Sequence, residues 1–181
     1  MPVSHHMSAT YSNDLLKVAD HLAYRDGGRG RPQPDRLRRA VSTAYYALFH
    51  HLGYLTVEDM ARDGALDESQ RVAVRRWIDH GAVWSLCEDV RRPSSAVGKL
   101  FGAAPPSKLS DLAAAFVQLK GQRELADYSV VFDITKATAL LSVDLARQAI
   151  EISDELVAAD DRSFRLFLRL LQGGTKIAKT R

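Results

Sequence analysis

Residues 38–50 read Arg-Arg-Ala-Val-Ser-Thr-Ala-Tyr-Tyr-Ala-Leu-Phe-His. At about 100° per residue on a helix, Arg39, Thr43, Tyr46 and His50 fall on one stripe. That stripe carries a permanent cation, a hydroxyl, a phenol and an imidazole that titrates near neutral pH. Such a set can bind an anion and move a proton: His50 is the proton-transfer candidate, and Arg39 or Arg123 the phosphate ligand. The opposite stripe, Leu37, Val41, Ala44, Leu48 and Leu52, is plain core filler. Arg39 and His50 stand roughly 16 Å apart along the axis, so they do not touch. They either flank a groove or meet groups from another helix. His50-His51 is a poor metal pair, because adjacent helical side chains diverge by about 100°. A purely structural reading is also open, with Tyr45, Tyr46 and Phe49 in the core and Arg39 and His50 bonding locally. Arg38 and Ser42 are i, i+4 neighbours, as are Tyr45 and Phe49.

Two more clusters could do chemistry. Residues 122–128 read Gln-Arg-Glu-Leu-Ala-Asp-Tyr. Arg123 and Asp127, at i, i+4, can form a helical ion pair; buried, the carboxylate would hold a phosphate-binding arginine. Tyr128 ends that helix and could cap it or stack on a ligand. The alternative is a helix-terminal salt bridge beside a packed tyrosine. Residues 75–81 read Arg-Arg-Trp-Ile-Asp-His-Gly. Arg75 and His80 suit ribonucleolytic cleavage by type, but five residues along an unbroken helix turn them about 140° apart. A histidine capping a helix C-terminus is the competing reading. The sequence holds no phosphate-loop, zinc-protease, paired CxxC or serine-hydrolase signature, so no metal or cofactor is expected.

The elements that must position these groups are all helical, for the apolar residues recur at the helical period and no alternating strand stands out. The first helix is expected from about Ser12 to Tyr24, ended by the Gly- and Pro-rich stretch 27–34. Asp35 caps the second, which runs to Leu52 and is stopped by Gly53. A weak turn or short helix occupies 56–66. Glu68 to Ile78 form the third helix, Asp79-His80-Gly81 interrupts it, and Val83 to Val90 resume it. Residues 91–107 read as a loop with at most one short turn, and such a loop is either functional or mobile. Ser110 or Asp111 starts a helix to Ala126, with Leu112, Ala115, Phe116, Leu119 and Arg123 on one stripe. Asp133 or Thr135 caps a long helix to Ala158 whose core positions are Ala137, Leu141, Leu145, Ala149, Ile152 and Leu156. Ser163 caps the last helix, with a stripe of Phe164, Phe167, Leu168 and Leu171, ended by Gly173-Gly174. The expected fold is an all-α, single-domain bundle of four to five main helices over residues 1–172, with a basic disordered tail at 173–181.

With 181 residues the chain holds one domain with a real core. Net charge is +3, so global charge does not announce a nucleic-acid binder. Residues 25–39 nevertheless hold six arginines against two aspartates, and residues 162–181 hold six basic groups and no acid. Such patches attract phosphate backbones or simply solvate helix ends. Cys87 is the only cysteine and reads as a buried structural thiol, which fits a reducing compartment. No apolar run approaches the roughly 20 residues of a membrane span. Residues 1–10 lack an apolar signal region. A cytoplasmic protein without membrane contact is expected.

Arg39, Ser42, Tyr45-Tyr46, Phe49 and His50 in register, followed by Arg123, Ala126, Asp127 and Tyr128, resemble the HEPN superfamily. Within it they resemble a bacterial branch that carries such a helix and a later Arg-x-x-Ala-Asp-Tyr segment. The resemblance implies a four- to five-helix bundle, usually a homodimer, that binds RNA or nucleotides in a cleft. Active members are metal-independent endoribonucleases of toxin–antitoxin or antiviral systems, and some partner a nucleotidyltransferase. Their Arg-x4–6-His signature has no match after Arg123; the spacing occurs only at Arg75 and His80. On this reading Arg39, His50 and Arg123 are the catalytic set, and Tyr46, Asp127 and Tyr128 bind substrate. The other function class is a non-catalytic dimeric interaction module, partner of a nucleotidyltransferase or nuclease. The clustered apolar groups of the last helix, Leu166 and Leu170 among them, are the sequence's hint of a dimer face.

Overall fold

A computed structural model describes residues 9–24, 32–62, 64, 66–102, 105–129, 131 and 133–174. Among the described residues there are seven α-helices and no strand. They are α1 (Ala9–Leu22), α2 (Pro34–Ala61), α3 (Glu68–Trp77), α4 (His80–Val90), α5 (Ser107–Tyr128), α6 (Lys136–Ala158) and α7 (Arg162–Arg169). A 3₁₀ turn spans Gly98–Phe101, and a π turn spans Leu170–Gly174. The all-α expectation holds. The count of four to five helices falls short: α1, α2, α5 and α6 form the bundle, and three shorter helices close around it. The basic stretch 25–31 and the tail from 175 lie outside the described residues. No described helix is long and apolar enough to cross a membrane.

Helix α2 is the axis of the bundle and packs on α1, α3, α5, α6 and α7. Its stripe Leu37, Val41, Ala44, Leu48 and Leu52 is buried, as its spacing requires. Gly53 does not stop it. Leu55, Thr56, Val57 and Ala61 are all buried beyond the glycine, and their packing carries the helix through it. Asp35 is not the cap either: Gln33 is the N-cap residue, and Asp35 sits in the first turn, where its charge favours the helix dipole.

The break between α3 and α4 decides where the functional groups point. Asp67 opens α3 with a capping box to Gln70. Ile78 and Asp79 are then extended, and the Asp79 carboxylate accepts from the Ala82 N–H at 2.8 Å. His80 is therefore the first residue of α4, not the cap of a helix C-terminus. The segment after α4 is packed down: Val97, Gly98 and Phe101 are buried. A Cβ on Gly98 would lie 2.2 Å from the Arg92 carbonyl oxygen, so this close approach requires glycine.

Helix α5 starts directly after Pro105-Pro106, at Ser107. Thr135 caps α6, but the α6 register differs from the one expected. Ala139, Ser142, Val143, Ala146 and Ile150 are buried with Ala149 and Leu156, whereas Leu141 is 67% exposed and Ala137 faces solvent. Small side chains at 139, 142 and 146 let α6 lie close to its neighbours, and Ser142 meets its need for partners at Thr138 O and Gln122 Oε1. Asp161, not Ser163, caps α7. Phe164, Phe167, Leu168 and Leu171 are buried, and Leu166 and Leu170 pack partly buried on the same core. Most of the apolar excess of the last helix is thus used within the chain. Cys87 is fully buried, which pushes its thiol pKa up.

Candidate functional site

Three helix segments converge. The third to fifth turns of α2 bring Ser42, Tyr45, Tyr46, Phe49 and His50; the end of α5 brings Lys120, Arg123, Asp127 and Tyr128; the start of α4 brings His80 and Trp84. Helix α5 is held against α2 by Arg38, whose guanidinium donates to Ala126 O at 2.7 Å and Ser129 O at 2.8 Å. These are orphan carbonyls of the last helical turn, where a cation also suits the dipole. Arg38 thus reaches across to α5, whereas its spacing suggested a neighbour within its own helix.

Ser42 instead donates to Asp127 Oδ1 at 2.5 Å. Asp127 Oδ2 lies 2.6 Å from Arg123 Nε, with both side chains 22% exposed. Arg123 donates an N–H to the Tyr46 hydroxyl at 3.0 Å. Its guanidinium carbon lies 5.6 Å from the Tyr46 ring centre and 5.4 Å from that of Tyr128, within cation–π range of both. The Asp127 contact is ionic, with the Nε–H itself not aligned on the carboxylate, and the Tyr46 bond engages one of the five guanidinium N–H groups. The cation is fixed in place with donors left for a ligand. Tyr128 is 72% exposed, so its ring borders solvent beside that cation. Lys120, paired with Glu124, sits 5.3 Å over the ring of Trp84 and extends the positive rim.

The imidazoles sit beside this arginine. His80 stacks on Phe49 with ring centres 3.9 Å apart, and its Nδ1 lies 2.7 Å from the Tyr45 hydroxyl. Tyr45 is buried, and burial raises its phenol pKa, so the hydroxyl keeps its proton. A buried hydroxyl donor without an acceptor is costly, so Tyr45 donates to Nδ1 and the neutral ring carries its proton on Nε2. His80 then presents an N–H donor. Its pKa is lowered first by burial and next by Arg123, with Asp79 pulling the other way. His50 lies against Tyr46, Phe49 and the edge of Tyr11. Burial, then His80 and Arg75, lower its pKa too. The cationic side chains of the site are Arg123, paired with Asp127, Lys120, paired with Glu124, and Arg75.

The residues singled out in the sequence divide as follows. Tyr46, His50, His80, Arg123, Asp127 and Tyr128 come together. Arg75 reaches the His50 side of the cluster, because the extended Ile78 and Asp79 remove the 140° divergence expected of one helix. Arg39 is exposed and takes no part in this network; about 10 Å of helix separates it from Tyr46. Ser42, Lys120 and Trp84 were missed as members. Lys120, Arg123 and Asp127 share an i, i+3, i+7 face, and Trp84 follows His80 at i+4, so spacing alone carried their signal. His51 diverges from His50 as adjacent helical residues must: it is buried, with Nε2 2.9 Å from Asp154 Oδ1. Among the described residues no three His, Cys, Asp or Glu side chains gather to hold a metal ion. Comparison with protein-family models, with curated proteins and with solved structures finds no match.

Proposed function

We propose that this chain is a HEPN-like helical protein that binds single-stranded RNA or a nucleotide where α2, α4 and α5 meet. The observation that carries the reading is the arginine clamp. Arg123 is held by Asp127 and Tyr46 beside an exposed tyrosine, with N–H donors left over. Phosphate is the natural ligand of a guanidinium fixed this way, and exposed Tyr128 and Trp84 supply faces on which bases stack. His80 adds an Nε2–H donor beside Arg123. That tautomer favours binding over base catalysis, so ribonuclease activity through His50 or His80 is the secondary form of the proposal.

The test is fluorescence anisotropy of a labelled single-stranded RNA with the full chain, in EDTA and at two salt concentrations. Binding that weakens with salt is expected. Arg123→Gln should weaken it roughly tenfold or more, the effect of losing about 1.5–3 kcal/mol of charged hydrogen bonding. Wild-type affinity in Arg123→Gln would refute the proposal. RNA cleavage in EDTA that disappears in His50→Ala or His80→Ala would establish the catalytic form, and intact RNA would exclude it.

A further inference from the structure

Next to this cluster, and sharing Phe49 and His50 with it, lies a concavity of about 360 Å³ between α2 and α3. That size is at the low end of the roughly 300–1,000 Å³ of small-molecule sites. Its apolar lining is Phe49, Val72 and Ile78; its polar lining is His50, Arg75 and Arg76, with no carboxylate among them. The floor is completed by Gly53.

This glycine has no structural reason to be one. It lies inside α2, where glycine costs helix stability relative to alanine. Its φ is not in the left-handed region, and a Cβ there would stand 4.0 Å from Arg75 Cγ and from Ile78 Cδ1, an ordinary contact. Neither backbone nor packing demands its bareness. What the missing side chain does is leave the floor of the pocket open.

We infer that this pocket is a binding site for a small organic anion with a flat apolar body, such as an aryl carboxylate or aryl phosphate. The apolar walls take the ring, and the arginines of α3 take the anionic group. The lining side chains offer N–H donors and no carboxylate or amide acceptor, apart from what a neutral His50 nitrogen supplies. A ligand whose polar atoms are acceptors therefore fits better than one rich in donors. The pocket shares Phe49, His50 and Arg75 with the edge of the RNA site, but it uses neither Arg123 nor His80, so the two readings can fail separately.

The experiment is an NMR titration of the ¹⁵N-labelled full chain with benzoate, phenyl phosphate, benzamidine and inorganic phosphate. Benzoate and phenyl phosphate should shift the amides of Gly53, Val72 and Ile78 saturably, with a Kd of about 0.1–1 mM for ligands this small. Benzamidine, the same shape with the opposite charge, should not bind there, and neither should inorganic phosphate, which lacks the ring. Gly53→Leu should abolish the shifts. Gly53→Ala, which fits the helix, should raise Tm while weakening benzoate several-fold, and it keeps the test decisive should Gly53→Leu not fold. Arg123→Gln should leave benzoate affinity unchanged, which separates failure of this site from failure of the RNA site. Equal binding of benzamidine or inorganic phosphate, shifts scattered over the surface, or unchanged affinity in Gly53→Ala would overturn the inference.

Discussion

Replacing Asp127 with alanine tests the clamp that assembles the site. The carboxylate accepts from Ser42 at 2.5 Å and lies 2.6 Å from Arg123 Nε. A hydrogen bond to a charged group contributes about 1.5–3 kcal/mol. The ion pair, 22% exposed on both sides, adds about 1 kcal/mol once solvent screening is allowed for. Against this, Asp127 is the penultimate residue of α5, where the negative end of the helix dipole disfavours it by about 0.5 kcal/mol. Alanine also has the better helix propensity, by roughly 0.5 kcal/mol. The net loss is about 2 kcal/mol, or a fall in Tm of about 4–8 °C for a chain of this length. Urea and thermal unfolding followed by circular dichroism at 222 nm measure it. Combining Ser42→Ala with Asp127→Ala should show a coupling energy of about 1 kcal/mol or more. A Tm within about 1 °C of wild type, or a coupling below about 0.3 kcal/mol, would mean that the Ser42–Asp127–Arg123 chain does not hold α2 to α5.

Burial holds the His51 pKa below its ordinary value even with Asp154 beside it. The unfolded chain therefore binds a proton near pH 6.5 that the folded chain refuses, and stability falls as pH drops below that point. Urea midpoints at pH 7.5 and 5.5 should differ, and His51→Gln should shrink the difference; an unchanged gap refutes this. Gly98→Ala would place a methyl 2.2 Å from a backbone oxygen and should cost about 1–3 kcal/mol, read as a lower urea midpoint. Arg38→Ala removes the guanidinium from Ala126 O and Ser129 O and should speed amide exchange at residues 125–129 about tenfold; unchanged exchange would show that water caps α5 equally well.

What could be read in the sequence was local. The buried stripe of α2 and that of α7 follow from spacing, and the Arg123–Asp127 pair from i, i+4 geometry. Gly53 misled because its stop signal is overridden by the burial of Leu55, Thr56 and Val57. The α6 register misled because leucine is the stronger hydrophobic mark, whereas close helix packing selects Ala139, Ser142 and Ala146. His80 was placed at the wrong kind of helix end, although Asp79 carried an N-cap signal one residue earlier. Ser42–Asp127 and Tyr45–His80 span 85 and 35 residues of chain, and no periodicity reports such pairings.

Those long spans bear on how the protein comes into being. On the ribosome, α2, α3 and α4 are made before Arg123 and Asp127 exist. Until α5 has emerged and docked, Tyr45 lacks the Phe116 ring and Tyr46 the guanidinium that complete their surroundings. A nascent chain halted short of residue 123 would expose an aromatic ridge that invites chaperones or self-association. The Arg123 cluster is thus assembled only once α5 has docked on α2 and α4, and its presence certifies that meeting.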